Sequence, residues 1–141
     1  MTARKESAGR TEAVRTVLVV DDEFGTVEVL VAALEDAGYR VLTAANGRRA
    51  LERIEENKPD LVVSDFMMPL MDGAALVQTM HSNPEYRDIP VIMMSAAPEA
   101  ALRKHLDGYA AFLRKPFRLQ ALLELITAIF ARERPSAPRS D

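Results

Sequence analysis

Five short apolar runs alternate along the chain with five stretches whose apolar residues recur at helical spacing, and this alternation restricts the available folds more than any other feature. Val17 to Val20 is a continuous, valine-rich run of the kind found in strands buried on both faces. Val27, Leu30, Val31 and Leu34 follow at helical spacing, with Gly38 as the stop. Arg40 to Ala44 reads as a second strand, and Asn46 as the cap of a helix through Ala50, Leu51 and Ile54 that ends before Pro59. Leu61 to Val63, Ile89 to Met94 and Tyr109 to Leu113 read as the remaining strands. Ala74, Leu76, Val77 and Met80 mark the third helix. Leu102 and Leu106 mark a fourth, starting near Pro98 and running to Gly108, and Leu119, Leu122, Leu123, Ile126 and Phe130 mark the fifth. Strands that alternate with helices pair in parallel through right-handed crossovers, so the expectation is an α/β, doubly wound sheet. Residues 1–14 and 133–141 show no such pattern and are expected to be disordered tails around one domain at 15–132.

Composition removes several function classes. The chain has no cysteine, which excludes a disulfide scaffold, a thiolate nucleophile and a cysteine-ligated zinc site. Eighteen Lys and Arg against 21 Asp and Glu leave a net charge of −3, so no basic field draws in nucleic acid or anionic lipid. No apolar run approaches the roughly 18 residues of a membrane span, and the polar start lacks a secretory signal's apolar centre. A soluble, cytoplasmic protein with neither nucleic-acid nor membrane partner is expected.

Sheets of this class bind ligands outside the carboxyl ends of their strands, so the residues there carry the chemistry. They are Asp21, Asp22 and Glu23 after the first strand and Ser64 and Asp65 after the third. Ser95 and Ala96 follow the fourth, and Lys115, Pro116 and Phe117 the fifth. Clustered carboxylates repel unless a cation neutralises them. Ligands that are all oxygen favour Mg²⁺, or Mn²⁺, over zinc. An Asp beside a divalent ion, a lysine and a serine is equipped for phosphoryl chemistry: the cations offset the oxygens' charge and the hydroxyl donates a hydrogen bond. Glu23 and Asp72 read as charges at helix starts, outside this group. His81 and His105 read as surface residues without a partner at ligand spacing.

In order and spacing these pieces resemble the receiver domain of bacterial two-component response regulators over Arg15 to Arg132. The resemblance rests on Val19-Val20-Asp21-Asp22-Glu23, Ala45-Asn46-Gly47 with Ala50-Leu51, and Lys58-Pro59-Asp60-Leu61-Val62-Val63-Ser64-Asp65. It continues through Met68-Pro69-Leu70-Met71-Asp72-Gly73, Ser95-Ala96 and Lys115-Pro116-Phe117. It implies a flavodoxin-like sheet of five parallel strands in the order 2-1-3-4-5. Asp65 would be the phosphoacceptor. Asp21, Asp22, Asp65 and the Met67 backbone carbonyl would hold Mg²⁺. Lys115 would pair with the acceptor and then with a phosphoryl oxygen, across a cis Lys115–Pro116 bond. Ser95 would donate its hydroxyl to another phosphoryl oxygen, and Phe112 would be the aromatic that turns inward when Ser95 moves. Met67 and Ala97 would flank the path of a hydrolytic water.

The implied function is a stand-alone receiver. It would take its phosphoryl group from a histidine kinase or histidine phosphotransfer protein, act on an unknown downstream protein, and be a signalling phosphoacceptor and not a turnover enzyme. Two alternatives stand beside it: an Asp-nucleophile, Mg²⁺-dependent phosphatase, and a degenerate receiver acting as a constitutive binding module. Met67 two places past Asp65 speaks against the first, which needs a second acid there. The complete set Asp21, Asp22, Asp65, Ser95 and Lys115 speaks against the second. The interval from Ser95 to Gly108 is about two residues shorter than usual for a receiver. About two residues are some 200° of helix, so the fourth helix must shorten or shift register.

Overall fold

The computed structural model describes residues 14–68 and 71–133. The two expected tails fall almost wholly outside these residues, as do Pro69 and Leu70 of the Met68–Gly73 motif. Five parallel strands form one sheet in the order β2-β1-β3-β4-β5. They are β1 (Thr16–Val20), β2 (Arg40–Ala44), β3 (Leu61–Asp65), β4 (Val91–Ser95) and β5 (Ala111–Arg114). The helices between and after them are α1 (Phe24–Asp36), α2 (Gly47–Glu56), α3 (Gly73–His81), α4 (Glu99–Arg103) and α5 (Leu119–Glu133).

The alternation of side chains along each central strand divides the core into two layers. Val17, Val19, Leu61, Val63, Ile92 and Met94 pack under α1 and α5 with Leu30, Leu34, Leu122, Ile126 and Phe130. Leu18, Val20, Val62, Val91 and Met93 pack on the opposite face with Ala50, Ile54, Leu76, Met80 and Leu102. Every residue of β3 and β4 is buried, which is why these strands read as unbroken apolar runs. Gly38, at φ +100°, closes α1: its N–H donates to the Glu35 carbonyl and the Tyr39 N–H reaches back to that of Leu34. The Arg15 guanidinium lies 4.2 Å from the centre of the Phe130 ring, fastening the approach to β1 against the late turns of α5.

Helix and strand limits depart from expectation at five places. β3 and β4 extend to Asp65 and Ser95, so both polar residues are the last of their strands and not the first of the loops. β4 begins at Val91 because Pro90 has no N–H to donate and Ile89 instead bonds the Tyr86 carbonyl. α4 does not run to Gly108; it ends at Arg103, and Leu106 reaches the core from non-helical chain. An extended residue advances about twice as far as a helical one, so a short interval regains the length of the sheet by unwinding. The chain then turns at Gly108, φ +86°, where a Cβ would stand 2.5 Å from His81 Cε1. Correspondingly β5 starts at Ala111, not at Tyr109.

Candidate functional site

The carboxyl edges of β1, β3, β4 and β5 bring the sequence-singled residues to one place. Asp21 follows β1 directly, and its N–H still donates to the Ala44 carbonyl at 3.1 Å. Its Oδ1 accepts the Glu23 N–H at 2.9 Å, so one oxygen shapes the turn into α1. The Lys115 Nζ sits 3.3 Å from Asp21 Oδ2 and 3.3 Å from Asp65 Oδ1. Lys115 is aimed by its backbone, whose N–H donates to the Ser95 carbonyl at 2.8 Å, and a cis peptide joins it to Pro116.

Asp21, Asp22 and Asp65 each present a carboxylate oxygen within 4.8 Å of the others. Asp21 and Asp65 are buried while Asp22 is exposed, so the cluster opens on one side. Three carboxylates against one ammonium leave the site short of positive charge, and the titration tendencies agree. Burial pushes the Asp65 carboxyl above its ordinary value, Asp21 and Asp22 push the same way, and Lys115 offsets them only in part. Burial works against the Lys115 charge, yet Asp65 and Asp21 outweigh it and hold the ammonium above its ordinary value. Both shifts, at Asp65 and at Lys115, run toward the protonated form, in keeping with a pocket suited to one more cation. The donors are hard oxygens without histidine or cysteine, which fits Mg²⁺ in kind.

Ser95 is 1% exposed, and its Oγ accepts the Ala97 N–H at 3.0 Å. Its hydroxyl proton has no acceptor among the described residues. A buried donor without an acceptor is costly unless something else receives it. Phe112 is half-buried against the layer that contains Leu102 and Leu106. The loop from β3 to α3 is tied at both ends: Gly73 N–H donates to the Phe66 carbonyl, and Gly47 N–H to that of Met71. Met67, between these ties, is 68% exposed.

Asp72 caps α3 by accepting the Ala75 N–H at 2.9 Å. Glu23 stands at the α1 start and accepts from the Thr26 hydroxyl, so both acids serve helix starts as expected. The two histidines are less solitary than expected. His81 is half-buried against Gly108, and the exposed His105 lies nearly parallel to Phe66 with ring centres 6.4 Å apart. A second polar group escaped the sequence reading. Tyr109 donates to Glu99 Oε2 at 2.7 Å, and Arg103 bonds both Tyr109 and Glu99, clamping short α4 to the chain that enters β5. Residues ten apart in unrelated elements leave no periodic trace, so nothing in the pattern of residues could have paired them.

Residues 17–127 match the model of the response regulator receiver domain family. The chain is 34% identical over 125 residues to response regulator Rre1 of Synechocystis sp., covering 86% of this chain and 54% of that protein. It spans about half the length of the curated relatives it matches. Chemotaxis protein CheY4 of Vibrio cholerae superposes with a TM-score of 0.76 at 33% identity, covering 83% of this chain and 99% of that one. The receiver domain of sensor histidine kinase PA1611 from Pseudomonas aeruginosa PAO1 does so at 0.76 and 26%, over 82% of this chain and 97% of that one. That structure has a magnesium ion coordinated in its active-site cleft.

Proposed function

Since the chain belongs to the response regulator receiver domain family, we propose that its Asp65 accepts a phosphoryl group from a histidine kinase or histidine phosphotransfer protein. The observation that carries the reading is the Asp65 carboxylate, held 3.3 Å from the Lys115 ammonium among two further carboxylates at the sheet's carboxyl edge. An Asp65 oxygen forms the bond to phosphorus as the bond from phosphorus to the donor's imidazole nitrogen breaks. That nitrogen keeps the electron pair and regains a proton from solvent. Asp21, Asp22, Asp65 and the Met67 carbonyl would hold Mg²⁺, which when bound would supply charge neutralisation at the phosphoryl oxygens. Lys115 shields the carboxylates from one another before transfer and pairs with a phosphoryl oxygen after it. The Ser95 hydroxyl proton, without an acceptor among the described residues, donates to another phosphoryl oxygen. Phe112 then follows Ser95 inward.

An apolar groove of about 660 Å³ opens beside Lys115, lined by Val29, Leu30, Pro116, Phe117 and Leu119. Phe24 stands exposed at the first residue of α1. Apolar surface next to a reactive carboxylate suits a protein donor better than a small soluble ester. We read the unit, residues 15–132, as a cytoplasmic phosphoacceptor whose output is a protein–protein contact, in keeping with the whole chain's net charge of −3.

The test is intact mass after incubation with phosphoramidate and Mg²⁺. The parent gains one phosphoryl group. Asp65→Asn, of the same size, stays folded and is slowed by at least about a hundredfold, as expected when a nucleophile is removed. Uptake by Asp65→Asn at the parent's rate overturns the assignment.

A further inference from the structure

One buried hydroxyl beside the site has no part in the proposed reaction. Ser64 is fully buried in β3, and its Oγ donates to the Asp65 carbonyl oxygen at 2.9 Å. Along β3 the N–H groups of Val62 and Phe66 point to β4, donating to the Pro90 and Met94 carbonyls. Asp65, out of phase with them, therefore turns its own carbonyl toward β1. The β1 ladder, however, ends at the pair Val20 and Ser64. No backbone N–H of a described residue donates to the Asp65 oxygen, so the Ser64 hydroxyl takes the place of the missing rung.

The two polar atoms of the Asp65–Phe66 peptide are thus both held. Its carbonyl receives Ser64 Oγ, and its N–H donates to the Met94 carbonyl at 2.8 Å. Gly73 closes the third side: a Cβ there would stand 2.7 Å from the Asp65 oxygen, and its N–H secures the Phe66 carbonyl at 2.9 Å. This peptide is the joint between the Asp65 carboxylate and the loop bearing Met67. Rotating its plane shifts the Met67 carbonyl relative to the carboxylate, and catalytic groups tolerate little such shift.

We propose that Ser64 is a positioning residue for phosphoryl acceptance: through the Asp65 carbonyl, its hydroxyl fixes the β3–α3 loop relative to the acceptor carboxylate. The inference rests on the reading of Asp65 as phosphoacceptor. A hydroxyl that merely satisfied itself in the core would affect stability and leave the rate alone.

The experiment measures phosphoramidate uptake at saturating Mg²⁺ by intact mass for the parent, Ser64→Ala and Ser64→Cys, with thermal melting alongside. Cysteine keeps the approximate size but is a weak donor, and it stands in should the alanine variant fail to fold. Both variants are expected to modify Asp65 roughly fivefold more slowly, the worth of about one hydrogen bond. Their melting temperatures stay within a few degrees of the parent. In the metal-free protein the Phe66 and Met67 amide resonances move. A parent that takes up phosphate with either variant keeping pace overturns the role of Ser64 and leaves Asp65 in its own. A parent that takes up none overturns the reading of Asp65, and this inference with it.

Discussion

The carboxyl edge of the sheet and the corner between α4 and β5 are built on opposite plans. At the edge, Asp65 and Ser95 end strands that are buried throughout, and Lys115 is aimed by a ladder bond from its own backbone. At the corner, a five-residue helix buries only Leu102 and is held by the partly exposed side chains of Glu99, Arg103 and Tyr109. A helix of that length has no stability of its own, so the side-chain clamp and one leucine decide whether it stays formed. The candidate site is mounted on strands buried throughout, and the neighbouring surface on a short helix held by side chains. Were Asp65 modified as proposed, the corner, with little buried surface, is a place where displacement costs little.

Met67 lies in the loop after β3 at the edge, and Ala97 in the loop from β4 to α4, the seam between the two regions. Neither side chain orients or deprotonates a water, so the acyl phosphate is expected to be long-lived. Combining Met67→Asn with Ala97→Glu accelerates phosphate release after donor removal by about tenfold, or ~1.4 kcal/mol of barrier. If the double variant holds its phosphate as long as the parent, the clock is set elsewhere and the seam is only a boundary.

A smaller effect separates the regions directly. Tyr109→Phe removes the hydroxyl that donates to Glu99 and accepts from Arg103. Amide hydrogen exchange at Leu102 and Arg103 should quicken by roughly fivefold while phosphoramidate uptake at Asp65 is unchanged. Equal slowing of uptake would mean that the corner is part of the acceptor's support. The clamp also has a pH dependence. Hydrogen bonding from Tyr109, assisted by Arg103, holds the Glu99 carboxyl below its ordinary value against a weaker effect of desolvation. A depressed carboxyl contributes above its unfolded value and is lost as pH falls through the folded one. Exchange at the corner should therefore rise in that acidic window in the parent, and less so in Tyr109→Phe, which keeps only the Arg103 pair with Glu99.

The least effect expected is on melting. The Asp65 carboxyl is raised by burial and by its acidic neighbours, so its ionised form costs the folded state stability without Mg²⁺. Asp65→Asn should melt higher than the parent at neutral pH by about 3 °C, the response to roughly 1 kcal/mol. For a raised carboxyl the cost is full above the folded value and gone below the unfolded one, so the advantage fades in acid. Saturating Mg²⁺ should reverse the order, because the cation stabilises most the parent, which keeps all three carboxylates. A variant melting below the parent without Mg²⁺ would show that Asp65 is not strained by its neighbours.

The same contrast explains what could be read from the sequence. The strands announced themselves because a sheet covered on both faces demands continuous runs such as Leu61 to Val63 and Val91 to Met94. With the strands placed in parallel, Asp65 and Ser95 fall at strand ends and Asp21 and Lys115 just beyond them, so these candidate residues need only topology to meet. The end of α4 was misread because Leu102 and Leu106 keep helical spacing whether or not the chain between them is helical. The peptide held by Ser64 was invisible for a different reason: which way a strand carbonyl points depends on where the neighbouring ladder stops.

The contact of Arg15 with Phe130 has a consequence for attachment. It brings the approach to the first strand and the late turns of the last helix within one side chain's reach. Thr16 begins β1, so this contact lies at the sheet's amino edge, away from the carboxylates. Two tethers fixed at residues 14 and 133 would leave from one neighbourhood and keep clear of an incoming donor. By the same proximity, a short bridge between those residues would allow the chain to be opened anew in the turn between α3 and β4, leaving the phosphoryl site on an uncut stretch of sheet.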